Sequence, residues 1–214
     1  MREQEDWDAL VTVYEDELAR TDDLDTACGL RQALVEIYLN QRENVDAASA
    51  HLEFVVEHED SSSSRRLLAQ LKSRQGHTDE ALLLLNGLVE SADVSDEDMA
   101  LIQRDLGRLM LEPGDDAEAA IAAFEDSFSL NGDVETLRLI VDAARHLDDV
   151  ERLITALDSA VAFFEDTERL LTLRELTALR LEHGQIEEAV PVLEELVTEL
   201  PEDVGMIKQL ISSL

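Results

Sequence analysis

Apolar residues recur along the chain at the three-and-four spacing of a single helix face. Ala81, Leu84, Leu85 and Leu88 form one such stripe, and Ala189, Val192, Leu193 and Leu196 form another. The strict apolar–polar alternation of a half-buried strand is not found in the sequence. Short polar connections separate the stripes: Asp22-Asp23, Gln75-Gly76-His77, Glu112-Pro113-Gly114-Asp115, Asn131-Gly132 and His183-Gly184-Gln185. Connections this short return the chain antiparallel to itself. The pattern predicts an all-α fold of about eleven helices, each about 12–17 residues long.

The stripes repeat at a fixed period. Leu173 and Leu176 mark one helix, Gly184 a turn, and Ile186, Ala189, Leu193 and Leu196 a second helix that stops at Pro201. Small Ala189 lets the two helices approach closely. This segment, strongest over residues 170–203, resembles a tetratricopeptide repeat (TPR), a helix–turn–helix unit of about 34 residues. It departs from that pattern at Thr177, Arg180 and Leu196, where the family usually has a small residue, an aromatic and an alanine. Ser62 to Gly87 is similar through Leu68-Ala69, Gly76, Ala81 and Leu85. Leu101 to Gly132 is similar through Leu106-Gly107, Ala120 and Phe124, with one extra residue near Gly114. Fainter copies pass through Ala48, Leu52 and Val55, and through Ile140, Leu153 and Leu157.

The resemblance implies a right-handed superhelical solenoid of antiparallel helix pairs. It predicts one repeat domain over residues 1–214 with about five to six repeats. In the family the first helix of each pair, here called A, lines a concave groove, and B denotes the second. Asp6 to Leu10, with Tyr14, reads as a B helix lacking its A partner, and Val204 to Leu214 as an A helix lacking its B partner. Either these helices cap the array, or the chain is a piece of a longer one whose other parts hold an effector or catalytic domain. Uncapped ends also offer apolar faces to a second copy, which makes a homodimer an alternative role.

Charge adds a second pattern. The chain has 17 Lys and Arg against 50 Asp and Glu, a formal net charge of −33. That balance disfavours nucleic acid and anionic lipid as partners. No apolar run approaches a membrane span, and a single cysteine excludes an internal disulfide, so a reducing, cytoplasmic setting is expected. The acidity is not uniform. The A segments (26–42, 61–75, 97–111, 133–147, 167–183 and 204–214) hold 14 of the 17 basic residues and only 10 of the acidic ones.

Within the A segments one cation recurs just before the central apolar pair: Arg31, Arg66, Arg104, Arg138, Arg174 and Lys208. Their spacings are 35, 38, 34, 36 and 34 residues. The resemblance implies that this position faces the groove. Two readings stand side by side. The ladder either forms salt bridges with the chain's own carboxylates, such as Asp105 or Glu175, or grips the carboxylates of an extended acidic peptide. The family's Lys/Asn clamp for a C-terminal carboxylate is not matched, because Asn40, Asn44, Asn86 and Asn131 lie near loops or on a B helix. The acidic remainder likewise serves either solubility or the capture of a basic partner.

Nothing in the sequence supports catalysis, a metal or a cofactor. His51 and His58 lack a zinc-site pattern. Asp93 to Asp98 lacks the turn glycine of a calcium loop and reads as a helix start. Ser61 to Ser64 reads as a loop and N-cap, and Cys28 as a packed thiol. Trp7, Tyr14, Tyr38, Phe124 and Phe163 read as packing between helices. The expected function is a non-catalytic protein-binding scaffold. The alternatives are self-assembly, a regulatory segment of a larger protein, or an acidic surface for a basic partner.

Overall fold

Eleven α-helices make up the regular structure among the described residues, and no strand is found there. The computed structural model describes residues 2–59, 61–91, 93–111 and 116–200, together with residues 205, 208 and 212. The loop Glu112 to Asp115, the stop at Pro201 and most of the expected helix Val204 to Leu214 lie outside them. Gly205, Lys208 and Ser212 are helical.

In chain order the helices are α1 (Arg2–Leu18), α2 (Leu24–Asn40), α3 (Val45–His58), α4 (Ser62–Arg74), α5 (Thr78–Val89) and α6 (Asp96–Leu111). They continue as α7 (Ala117–Asn131), α8 (Val134–Arg145), α9 (Val150–Val161), α10 (Asp166–Glu182) and α11 (Ile186–Glu199). Five expected A segments are α2, α4, α6, α8 and α10, each with its ends within two residues of the expectation.

Side-chain caps explain why the helices start where they do. Asp23, Asn44, Ser61, Asp116, Asp133 and Asp149 each accept a hydrogen bond from a backbone N–H in the first turn of the following helix. Ser95 does the same for α6, its Oγ accepting from the Asp98 N–H at 3.1 Å. Carboxylates in the first turns, such as Asp46, Asp79, Glu118 and Glu151, also complement the helix dipole.

The chain divides into two compact units, Met1–Leu109 and Met110–Leu214. In the first, α1 to α5 pack each against the next. Their core is built from Val11, Leu34, Ile37, Leu52, Val55 and Leu71. In the second, α7 to α11 pack in the same serial manner. There the core gathers Phe124, Leu137, Ile140, Leu157, Phe164 and Leu176. Small residues sit at the helix contacts: Ala48, Ala81, Ala120 and Ala189 are all 0% exposed. Thr177, a departure from the small residue of the repeat pattern, is also buried. Its hydroxyl donates to the Leu173 carbonyl at 2.8 Å, so no polar group is stranded.

The aromatic expectations separate. Phe124 and Tyr38 are buried, and Trp7 and Tyr14 pack half-buried on the first core. Phe163 instead stays 47% exposed, and its neighbour Phe164 enters the second core.

Glycine closes two of the turns from an A helix to its B helix. Gly76 (φ 80°) and Gly184 (φ 75°) lie in the left-handed region. Each lets the next N–H reach back, from His77 to the Lys72 carbonyl and from Gln185 to the Arg180 carbonyl, both at 2.8 Å. A Cβ at Gly184 would meet nothing within 4 Å, so only backbone strain opposes it. Gly184→Ala should therefore destabilise by about 1 kcal/mol. Gly29→Ala, inside α2 with equally open space, should stabilise by about 0.5–1 kcal/mol. Chemical denaturation of the two variants should show this opposite sign.

Candidate functional site

The A helices of the second unit carry a repeated ionic arrangement. Arg138 on α8 donates through Nε and Nη2 to both oxygens of Glu168 on α10, at 2.7 and 2.8 Å. Its Nη1 donates to Glu135 at 2.9 Å. Seven residues on, Arg145 donates through Nε and Nη2 to Glu175 at 3.1 and 2.7 Å, and through Nη1 to Asp142 at 2.7 Å. Two helical turns thus separate two identical rungs, each a bidentate Arg–Glu bridge backed by a carboxylate three residues earlier. The rungs tie α8 to α10.

Between the rungs lies an open cleft of about 510 Å³ with Val141, Phe164 and Leu171 in its lining. Leu171 is 60% exposed. The Arg138 guanidinium also lies 5.7 Å from the centre of the Phe164 ring. The Glu168 carboxyl is held below its ordinary range, chiefly by the hydrogen bond from Arg138. Arg145 is pushed up, chiefly by its hydrogen bond to Glu175.

The first unit solves the same problem differently. Arg66 on α4 donates through Nε to Asp105 on α6 at 2.7 Å, and Gln70 donates to the same oxygen at 2.8 Å. Asp105 is buried, so this pair is largely removed from water. Arg31 on α2 lies 4.1 Å from the centre of the Phe54 ring. Its Nη1 reaches Nδ1 of His51 at 3.3 Å. A guanidinium only donates, so Nδ1 must accept and the imidazole is neutral. Burial, and then the Arg31 charge, push the His51 pKa down.

The six expected ladder cations therefore meet different surroundings. Arg66 and Arg138 form the internal bridges that the sequence set beside recognition. Arg31 meets a ring and an imidazole. Arg104 on α6 is half-buried and Arg174 on α10 is exposed, and both are engaged within the chain. Lys208 is exposed. Asp105 and Glu175, named from the sequence as bridging acids, do bridge, to Arg66 and Arg145 respectively.

Sequence reasoning missed the second rung. Its signal was present: Glu135, Arg138, Asp142 and Arg145 repeat one acid–base step seven residues apart, as do Glu168 and Glu175.

Arg180, the departure from the usual aromatic, has its own role. It bridges Asp158 on α9 and donates to the Glu188 carbonyl on α11 at 3.2 Å. Lys72, likewise four residues before a turn glycine, bridges Glu53 on α3 and Glu80 on α5 at 2.5 and 2.9 Å. In each unit a cation near the end of an A helix thus joins the B helices on either side.

His58 stacks on Phe54. The buried Cys28 thiol is pushed up by burial and then by Glu59, as in an unreactive packed cysteine. Among the described residues, no group of three or more His, Cys, Asp or Glu is placed to hold a metal ion. No helix there is long and apolar enough to cross a membrane.

These serial helix pairs define the tetratricopeptide-repeat fold, and comparison with solved structures agrees. The C-terminal part of a TPR repeat-containing protein from Cytophaga hutchinsonii matches with a TM-score of 0.63 and 11% identity, over 97% of this chain and 80% of that one. A tetratricopeptide repeat protein from Parabacteroides merdae matches with a TM-score of 0.59 and 16% identity, over 87% and 72%. The MamA protein matches with a TM-score of 0.60 and 13% identity, over 84% and 94%. No protein-family model matches the chain. In sequence it is 28% identical over 200 residues to the signal recognition particle subunit SRP72 of dog (Canis lupus familiaris), and 27% identical to that of Homo sapiens. Each alignment covers 87% of this chain but only 28% of the relative, so the chain spans under a third of those proteins.

Two outcomes test the site's electrostatics. Arg66→Gln leaves the buried Asp105 charge without its cation and should cost about 3 kcal/mol in chemical denaturation. The Glu168 carboxyl pKa is depressed in the folded state, so its stabilising effect is present above the ordinary carboxylate range. That effect is lost as pH falls through the depressed value. Arg138→Gln should move the Glu168 titration upward, read by carboxyl-carbon NMR, and an unmoved midpoint would contradict the rung.

Proposed function

We propose that the protein is a non-catalytic scaffold that holds an extended segment of a partner protein along its A helices. The cleft between α8 and α10 carries this reading, because it sets an exposed leucine beside Val141 and Phe164 between two guanidinium groups and the carboxylates they bind. Arg138 uses three of its five N–H donors on Glu168 and Glu135, and its side chain is 43% exposed. The unused donors point to an acidic segment, whose carboxylate would share or replace Glu168 on the guanidinium.

In this reading the contact line is the ladder Arg31, Arg66, Arg104, Arg138, Arg174 and Lys208. The A segments hold 14 of the 17 cations, so they are where an acidic partner meets least repulsion. The likeness to a signal recognition particle subunit supports a part in a larger assembly.

The test is capture from a lysate of the source organism, with the native chain and an Arg138→Gln, Leu171→Ser variant of confirmed helicity as baits. Mass spectrometry should find a partner held by the native chain and lost by the variant, with its retention weakened by salt. A set of partners retained equally by both would remove the cleft from the binding surface.

A further inference from the structure

The recess between α7 and α9 in the second unit is balanced in charge, since Glu125 and Arg152 in its lining bind each other at 2.9 Å. In the first unit one cation is held differently. Arg31 of α2 rests on two rings of α3. Its guanidinium lies 4.1 Å from the centre of the Phe54 ring, and its Nη1 donates to Nδ1 of His51 at 3.3 Å. Its Nε is buried and meets no acceptor among the described residues. The held guanidinium thus leaves one donor unmet, a cost that contact with water would remove.

His51 is held from the other side. Its ring stacks on Tyr38 of α2, with centres 5.6 Å apart and planes 13° from parallel. Tyr38 is buried, and its hydroxyl donates to Glu15 of α1 at 3.3 Å. Arg31 and Glu15 are the charges that act on His51, the first against a proton and the second in its favour. On α4, the other helix packed on α3, Lys72 is held by Glu53 and Glu80, and Arg66 by Asp105. Arg65 of α4 is engaged within the chain and Arg74 is exposed. His58, two turns along α3, has its Nδ1 on the Phe54 carbonyl at 2.8 Å.

The contact between Arg31 and His51 lasts only while Nδ1 carries no proton. Protonation there turns the acceptor into a donor and sets two positive groups against each other. Of the two, Arg31 is the one that can leave. Its long side chain has an unmet donor to satisfy in water. The charged ring keeps its stack on Tyr38 and gains from Glu15.

We infer that His51 is a pH-gated latch on Arg31: the neutral ring holds the guanidinium on Phe54, and the protonated ring releases it. The consequence rests on the scaffold reading above, in which Arg31 is the first cation of the contact line. Mild acidification then adds a free guanidinium to that line while the carboxylates of an acidic partner stay ionised.

The test uses the whole chain without a partner, so its outcome is separate from that of the capture experiment. Long-range proton–nitrogen NMR follows the His51 imidazole between about pH 8 and about pH 5. At the alkaline end the ring should be the Nε2–H tautomer, with Nδ1 bare. Arg31→Gln should raise the His51 midpoint, because a charge that opposes the proton is gone. The Arg31 Nε–H signal reads the release. Its exchange with water is base-catalysed and slows as pH falls if nothing moves. In the native chain it should instead quicken as pH falls through the His51 midpoint. His51→Gln offers Arg31 an amide oxygen that does not titrate, so there exchange should slow throughout. Circular dichroism checks that both variants fold, and the tautomer and exchange profile of the native chain need neither. An Nδ1–H tautomer, an unmoved midpoint in Arg31→Gln, or native exchange that slows throughout would overturn the inference.

Discussion

Close approach of paired helices is the constraint on which the other features rest. Ala48, Ala81, Ala120 and Ala189, each wholly buried, stand at the fourth position of the B helices α3, α5, α7 and α11. A larger side chain there would push the axes apart, because packed helices leave little slack at their crossing. With the axes close, Leu52, Leu85, Phe124 and Leu193 reach across and bury completely or nearly so. The same closeness brings successive A helices within reach of an arginine side chain. The Arg138 and Arg145 rungs, the Arg66–Asp105 pair and the two clefts of the second unit are consequences of that spacing.

The acid excess is distributed so that it does not oppose this packing. Many carboxylates serve at helix starts, as caps or in first turns, where the backbone N–H groups and the helix dipole favour them. Others are drawn to the cations of the A helices, and the chain uses arginine for most of these contacts. Its planar fork holds Glu168 or Glu175 with two bonds and still reaches a third oxygen on its own helix. Lys72, a point charge, is used where two glutamates converge from different helices. Ion pairs therefore set the register of neighbouring helices while the buried alanines and leucines supply the cohesion.

The two clefts of the second unit differ in kind. One lies between A helices, where Arg138 and Arg145 are each bound by two carboxylates around Val141, Phe164 and Leu171. The other lies between the B helices α7 and α9 over Leu137 and Ile140 of α8, with one paired acid and base, Glu125 and Arg152, in its lining.

Helix number, helix boundaries and the helix-pair repeat were legible in the sequence, because they rest on local signals. Apolar residues at three-and-four spacing, capping aspartates and the glycines at 76 and 184 act within a few residues of themselves. The ladder cations were legible as positions but not as contacts. Whether Arg138 faces a ligand or Glu168 depends on a residue 30 positions away and on the angle between two helices. The same holds for the choice of Phe164 over Phe163 as the buried ring, and for the burial of Asp105 beneath Arg66 and Gln70. These outcomes turn on rotations of a fraction of a helical turn, which periodicity does not specify. Local chemistry determined the helices and their order, while packing between helices decided which charges were spent inside the fold and which surfaces stayed open.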